Sequence, residues 1–259
     1  MPLTALDPRS ALIVIGLQKG IVNGHFIHPI GEIIDRTRAL IDVFRAKKLP
    51  VVLVNVAGRP PGRTEQGPRS GTSFAEGWTD FLPELDQQPS DIVVTKRSWG
   101  AFATTDLEGQ LKARGVTQVV VTGVVTSGGV EATARQAYEQ RFNVSLALDA
   151  MTDVREEAHE YSIRNVFPRV GETGSTKEVI SLLERLLEER LLEERLLEER
   201  ALHHELAFSC VVLLWRHFFD KRHSSFCSRH DGTSLPESLR KTARQRALLF
   251  NGQRSLGLL

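Results

Sequence analysis

The chain has 259 residues, 41% of them hydrophobic and 25% charged, with a formal net charge of +1. This balance is ordinary for a globular chain and excludes an overall field that would draw it to nucleic acid or a membrane surface. Two cysteines, Cys210 and Cys227, cannot build a disulfide framework, so a reducing, cytoplasmic setting is expected. No apolar run approaches the roughly 20 residues of a membrane span, and the first residues, MPLTALDPRSALIVIGL, lack the basic stretch of a signal peptide.

The averages conceal a break. Residues 1–200 hold 24 Lys+Arg against 28 Asp+Glu, whereas residues 201–259 hold 9 against 4. Both cysteines and five of the eight histidines fall in the second part. At the join, residues 184–200 repeat the pentamer LLEER. Three regions follow: a body over residues 1–180, a repeat helix over 181–202, and a basic, partly helical tail over 203–259.

The body alternates strand and helix signals. β-branched, apolar runs occur at Ala11–Leu17, Val51–Ala57, Asp91–Lys96, Gln118–Val125 and Val144–Ala150. Such runs suit strands buried on both faces, as in a parallel sheet. Between them, Ile33, Ile34, Leu40, Ile41 and Phe44 recur at helical spacing over 31–48. Thr105 with Glu108, Asp153 with Glu156, and Ser175 with Glu178 have the form of capping boxes. A further helix is predicted over 129–140. Alternation of this kind predicts an α/β fold, a three-layer sandwich around a mostly parallel sheet of about six strands.

In such folds ligands bind at the carboxyl ends of strands. Lys96 ends the third strand, and near the centre of a sheet it would be desolvated and able to hold a carboxylate or oxyanion. Thr122–Glu139 runs from a strand through Ser127, Gly128 and Gly129 into a helix, whose N-terminal N–H groups suit an anion. Each feature also has an ordinary reading, as a solvated strand end and a plain βα turn. The dinucleotide pattern G-x-G-x-x-G is absent here.

Four strand-end motifs together resemble the isochorismatase-like, or cysteine hydrolase, superfamily: IVIGLQKGIV, TKRSWGAF, GVVTSGGVEATA, and Asp149, Ala150 and Asp153. The resemblance covers residues 10–180. It implies the α/β fold above and a small amide, carbamoyl or enol-ether substrate class. It places Lys96 on the family lysine, Gly16 on the aspartate acid/base and Gly129 on the nucleophilic cysteine. It places Val125, Thr126 and Gly128 in a turn that in the family often holds a cis peptide and contributes to an oxyanion hole. Gln18, Trp99 and Phe102 would line the pocket.

The departures bear on chemistry. Amide hydrolysis needs a thiolate and an acid/base; Gly129 and Gly16 supply neither. Isochorismatases also have Gly at the cysteine position but depend on the aspartate. His25 and His28 follow the first strand, and Arg59, Arg63 and Arg69 sit in a Gly/Pro-rich loop; each set is first an ordinary surface group, and second a candidate for the mouth of the site. Nicotinamidases carry a metal motif after the second strand; NVAGRPPGR has no His or Asp, so no metal and no cofactor are expected.

In the repeat, successive leucine pairs rotate by about 140°, so Leu182, Leu187, Leu192 and Leu197 do not form one stripe. In the tail, Leu206–Phe219 is a candidate helix. His203, His204, Cys210 and Cys227 lack zinc-ligand spacing. The leading expectation is an isochorismatase-like hydrolase that is inactive or strongly impaired, binds a small-molecule ligand such as an anion, and forms a homo-oligomer without nucleic-acid or membrane partners. The alternatives are a non-thiol hydrolase using Lys96 and water, and an oligomeric scaffold with a helical fusion.

Overall fold

The computed structural model describes residues 3–65, 74–186, 188–189, 192–201 and 203. Arg69, the candidate helix Leu206–Phe219, His204, Cys210 and Cys227 lie outside the described residues. The body runs β1 (Ser10–Ile15), α1 (Lys19–Val22), α2 (Ile30–Ala46), β2 (Val51–Val56), β3 (Ile92–Lys96), α3 (Leu107–Ala113), β4 (Gln118–Val124), α4 (Glu131–Glu139), β5 (Asn143–Thr152), α5 (Glu156–Tyr161) and β6 (Glu172–Gly174). A last helix, α6, begins at residue 176 and is described without interruption to 186.

The six strands form one sheet in the order β3-β2-β1-β4-β5-β6, and every pairing is parallel. The pleat divides the apolar residues between two cores. Ala11, Ile13 and Ile15 face Leu107, Leu111, Ala134 and Ala137 of α3 and α4. Leu12, Val14 and Leu53 face Leu40, Ile41 and Phe44 of α2 and Val179, Leu182 and Leu183 of α6. Burial on both faces explains why β1, β2 and β4 read as unbroken apolar runs.

The third strand differs from its sequence reading. β3 is an edge strand with alternating burial, and Val93 and Thr95 are exposed. Lys96 therefore stands at the rim of the sheet and not near its centre. Two capping boxes form only by half. Thr105 Oγ accepts from Leu107 N at 3.2 Å and donates to the Ala101 carbonyl at 2.6 Å, while Glu108 pairs with Lys112. Asp153 accepts from Arg155 N at 3.3 Å through Oδ1, but its Oδ2 goes to the turn after β4, described below. The third box forms: Ser175 N donates to Glu178 Oε2 at 2.7 Å, and Glu178 N to Ser175 Oγ at 3.2 Å.

The core runs on past residue 180. Leu182 is 8% and Leu183 2% exposed, whereas Leu192 and Leu197 of the same repeat are mostly exposed. The start of the repeat thus serves as the packing face of α6. Replacing Leu183 with Ala is expected to cost about 2–4 kcal/mol by loss of apolar burial and cavity formation. Leu197→Ala should change stability by less than about 0.5 kcal/mol. Urea unfolding of the two variants checks this.

Candidate active site

The carboxyl ends of β1, β3 and β4 meet above the sheet. Gly123 pairs with Ile15 of β1 there, and its positive φ turns the Cβ direction into β1. A Cβ on Gly123 (φ +111°) would lie 2.1 Å from the Ile15 carbonyl oxygen, so only glycine fits. The peptide between Val124 and Val125 is cis, as the family resemblance implies for this turn. The chain then makes a wide helical turn over Thr126–Val130 before α4.

Two side chains from the segment after β5 hold this turn. Asp153, buried, accepts from Ser127 N at 2.7 Å and from Val154 N at 2.8 Å. His159, also buried, shares a 2.8 Å hydrogen bond between Nδ1 and Thr126 Oγ. His28 lies edge-on to His159, ring centroids 5.1 Å apart, and its Nδ1 is 3.0 Å from Thr152 Oγ. Burial first, then the neighbouring imidazole, push the His159 pKa down, so the neutral ring is favoured. His28 meets His159 from the loop between α1 and α2 and, like His25, remains exposed. His159 had no signal in the sequence: it sits on a short helix outside every motif.

Lys96 is 5% exposed. Its Nζ donates to the carbonyls of Trp99 at 2.6 Å and Ser98 at 3.0 Å. It has no carboxylate within ion-pair distance among the described residues. Desolvation lowers its pKa to about 8. The segment 97–102 folds back to supply the two carbonyls, and is pinned in turn by Thr133 Oγ and Gln136 Oε1 of α4, which accept from Ala101 N and Phe102 N. An edge-strand lysine becomes buried because its own following loop closes over it.

Gly129 is next to this amine. A Cβ there would lie 3.5 Å from Lys96 Nζ, 3.6 Å from the Trp99 carbonyl and 2.9 Å from Ile15 Cγ2. Lys96 and Gly129, on which the resemblance places the cysteine, are thus brought together. Gly16, on which it places the aspartate, is not aimed at them. Gly16 has φ +68°, and a Cβ there meets the Val124 carbonyl at 2.6 Å, with Val124 Cγ2 and Ile21 Cδ1 next nearest.

The remaining positions divide by role. Gln18 is wholly buried; it donates to the carbonyls of Trp78 and Val56 and accepts from Val56 N at 2.7 Å. It staples the segment before Leu82 over the end of β2. Next to it, Asn55 donates to the Thr79 carbonyl, but its buried Oδ1 has no partner. Trp99 is 64% exposed, with its ring against Gly128. Phe102 is buried against Phe142 in the core. The N–H groups of Gly128 and Val130 both donate to the Val125 carbonyl, and that of Ser127 to Asp153. Arg97 Nη1 donates to the Ala57 carbonyl at 3.2 Å. Among the described residues no three His, Cys, Asp or Glu side chains gather as for a metal ion, and no helix is long and apolar enough to cross a membrane.

An isochorismatase domain profile matches residues 10–178. The chain belongs to the isochorismatase family. It is 36% identical over 178 residues to the isochorismatase family protein YwoC of Bacillus subtilis (strain 168), covering 66% of this chain and 93% of that protein. It is 32% identical to Nicotinamidase 3 of Arabidopsis thaliana, over 62% of this chain and 83% of that one. The structure of an isochorismatase family protein from Burkholderia thailandensis superposes with a TM-score of 0.65 at 39% identity, covering 70% of this chain and 98% of that one. The four motifs and the all-parallel six-stranded sheet accord with membership of this family of hydrolases.

Two outcomes follow from the geometry. A buried ammonium destabilises the fold below its folded pKa of about 8. Between there and the unfolded value of 10.5 the unfolded chain binds the extra proton, so stability rises with pH. Relative to Lys96→Met, the wild type should gain on the order of 3 kcal/mol across that window, read from denaturant midpoints at matched pH. Secondly, Gly16→Asp should lose roughly 2 kcal/mol or more, because it combines a left-handed backbone with a contact to a carbonyl oxygen. A thermal melt that matches wild type would refute this.

Proposed function

We propose that this isochorismatase-family chain binds small carboxylates at Lys96 and has lost the hydrolytic chemistry of the family. The observation that carries the reading is a buried amine with two carbonyl partners and no carboxylate, beside a position that has no side chain. A carbonyl oxygen is a poorer counterpart to an ammonium than a carboxylate is. An anionic ligand would therefore supply the missing charge, and would raise the lysine pKa as it bound.

Hydrolysis of an amide needs a nucleophile, a proton acceptor for it and a donor to the leaving nitrogen. Gly129 offers no nucleophile and Gly16 no proton carrier. The carboxylate of Asp153 and the hydroxyl of Thr126 are already committed to holding the turn. Nicotinamidase 3, a relative of this chain, bears the name of an amide hydrolase, which makes nicotinamide and related amides the substrates to try first. The second reading is a hydrolase that uses the amine of Lys96 as base for a water. A pKa near 8 favours it, since part of the amine is then neutral in mildly alkaline solution.

Acetate and benzoate titrated into the wild type and Lys96→Ala separate the readings, together with assays on nicotinamide and an enol ether. Binding is expected in the wild type only, and to weaken about tenfold per pH unit above pH 8 as the ammonium is lost. Turnover is expected at background in the wild type and in Gly129→Cys, whose thiol gains a cation but no proton carrier. Turnover abolished by Lys96→Ala would favour the second reading. Equal carboxylate affinity in the wild type and Lys96→Ala would sink the first.

A further inference from the structure

The family site is at the carboxyl ends of the strands. The opposite end of the same sheet holds a cleft that this site does not use. It is an open cleft of about 650 Å³ bounded by the starts of β2, β3 and β4, the ends of α2 and α3, and the segment leading into β1. Four cations line it, Arg9, Arg45, Lys48 and Arg114, against one carboxylate, Asp91.

That carboxylate is fully engaged. Asp91 Oδ2 accepts from Arg45 Nη2 at 2.6 Å and from Gln88 N at 2.8 Å, and Oδ1 accepts from Arg45 Nε at 3.2 Å. Its side chain is 2% exposed. Arg45 and Asp91 therefore neutralise each other as a forked pair. Arg9, Lys48 and Arg114 remain exposed and form no ion pair among the described residues.

Cations at the ends of helices have an ordinary explanation, because helix C-termini carry about half a negative charge. α2 and α3 both end here, at Lys47 and Arg114. Arg114 accepts that role, since its Nη1 donates to the Gln110 carbonyl at 2.9 Å. Two helix ends balance about one of the three unpaired cations. A surplus of about two positive charges is left, and Arg9 belongs to neither helix. Its guanidinium instead folds over Gly115, where a Cβ would come within 2.9 Å of Nη1. The floor between the cations is apolar, made by Leu49, Pro50 and Val51. Ser90 adds an exposed hydroxyl at the rim.

We propose that this cleft is a second anion site, built for a dianionic phosphate or diphosphate group carried on a small organic body. Two uncompensated charges call for a dianion, an apolar floor calls for a body that is not wholly charged, and the volume suits a ligand of nucleotide size. The site stands apart from Lys96, at the other ends of the strands, so the two sites can be tested separately.

The test is calorimetric titration of the full chain at low ionic strength with inorganic pyrophosphate and, separately, adenosine 5′-diphosphate. Saturable binding is expected for both, tighter for the nucleotide if its ring rests on Leu49 and Pro50. The double variant Arg9→Gln/Lys48→Asn should weaken both at least tenfold; asparagine suits Lys48, whose φ is 56°. Arg9→Glu, which keeps a long side chain over Gly115, should do the same, so a folding defect in one variant does not decide the matter. Lys96→Ala should leave both affinities unchanged. The proposal is overturned if the wild type shows no saturable binding, if the charge variants bind like the wild type, or if Lys96→Ala removes the binding.

Discussion

The positive-φ backbone of Gly123, where β4 pairs with β1, governs the geometry of everything above the sheet. Ile15 pairs with Gly123, and a Cβ at position 123 would overlap the Ile15 backbone. Because glycine permits that contact, the chain after β4 can turn directly over the end of β1. Gly129 then rests on the Ile15 methyl and beside the Lys96 amine. A side chain at position 123 would push β4 away and lift the whole turn. Gly16, on the facing strand, has the same left-handed backbone and is closed off by the Val124 carbonyl. A side chain at position 16 would thus alter backbone shape as well as chemistry.

Lys96 shows how a charge is buried without a countercharge. Amines are seldom fully buried unless paired, and this one is held by two carbonyls of its own following loop. The loop is in turn held by Thr133 and Gln136 of α4. The amine, the loop and the helix form one continuous set of hydrogen bonds that reaches the turn bearing Gly129, since Thr133 Oγ also donates to the Gly129 carbonyl at 2.6 Å. On the other side, Asp153 and His159 fix the start of that turn. These contacts hold both ends of the turn around Gly129.

The two ends of the sheet differ in their electrostatics for a reason built into the topology. In a parallel sheet with helical crossovers, each helix begins near the carboxyl end of a strand and ends near the amino end of the next. Helix N-termini therefore gather where Lys96 sits, and C-termini gather at the other end, where cations are favoured. Arg114 and Arg45 answer that need and a buried carboxylate; Arg9 and Lys48 exceed it.

The architecture was legible in the amino-acid pattern alone. Apolar runs of strand length alternating with helical patterns leave few folds other than a covered parallel sheet, because backbone pairing and right-handed crossovers restrict the topology. It also showed Lys96, Gly16 and Gly129 at or just after strand ends, where the family resemblance leads one to look for chemistry. The capping pair Ser175 and Glu178 was equally legible, being local. Relations between segments distant in the chain were not legible there and emerged only in the folded molecule. The edge position of β3, the recruitment of Asp153 and His159 to the turn, the use of Gln18 as a staple and the burial of Leu182 and Leu183 all depend on which strands become neighbours. Local spacing carries no record of that choice, since the same residues satisfy the same periodicity whether they meet a helix, a loop or water.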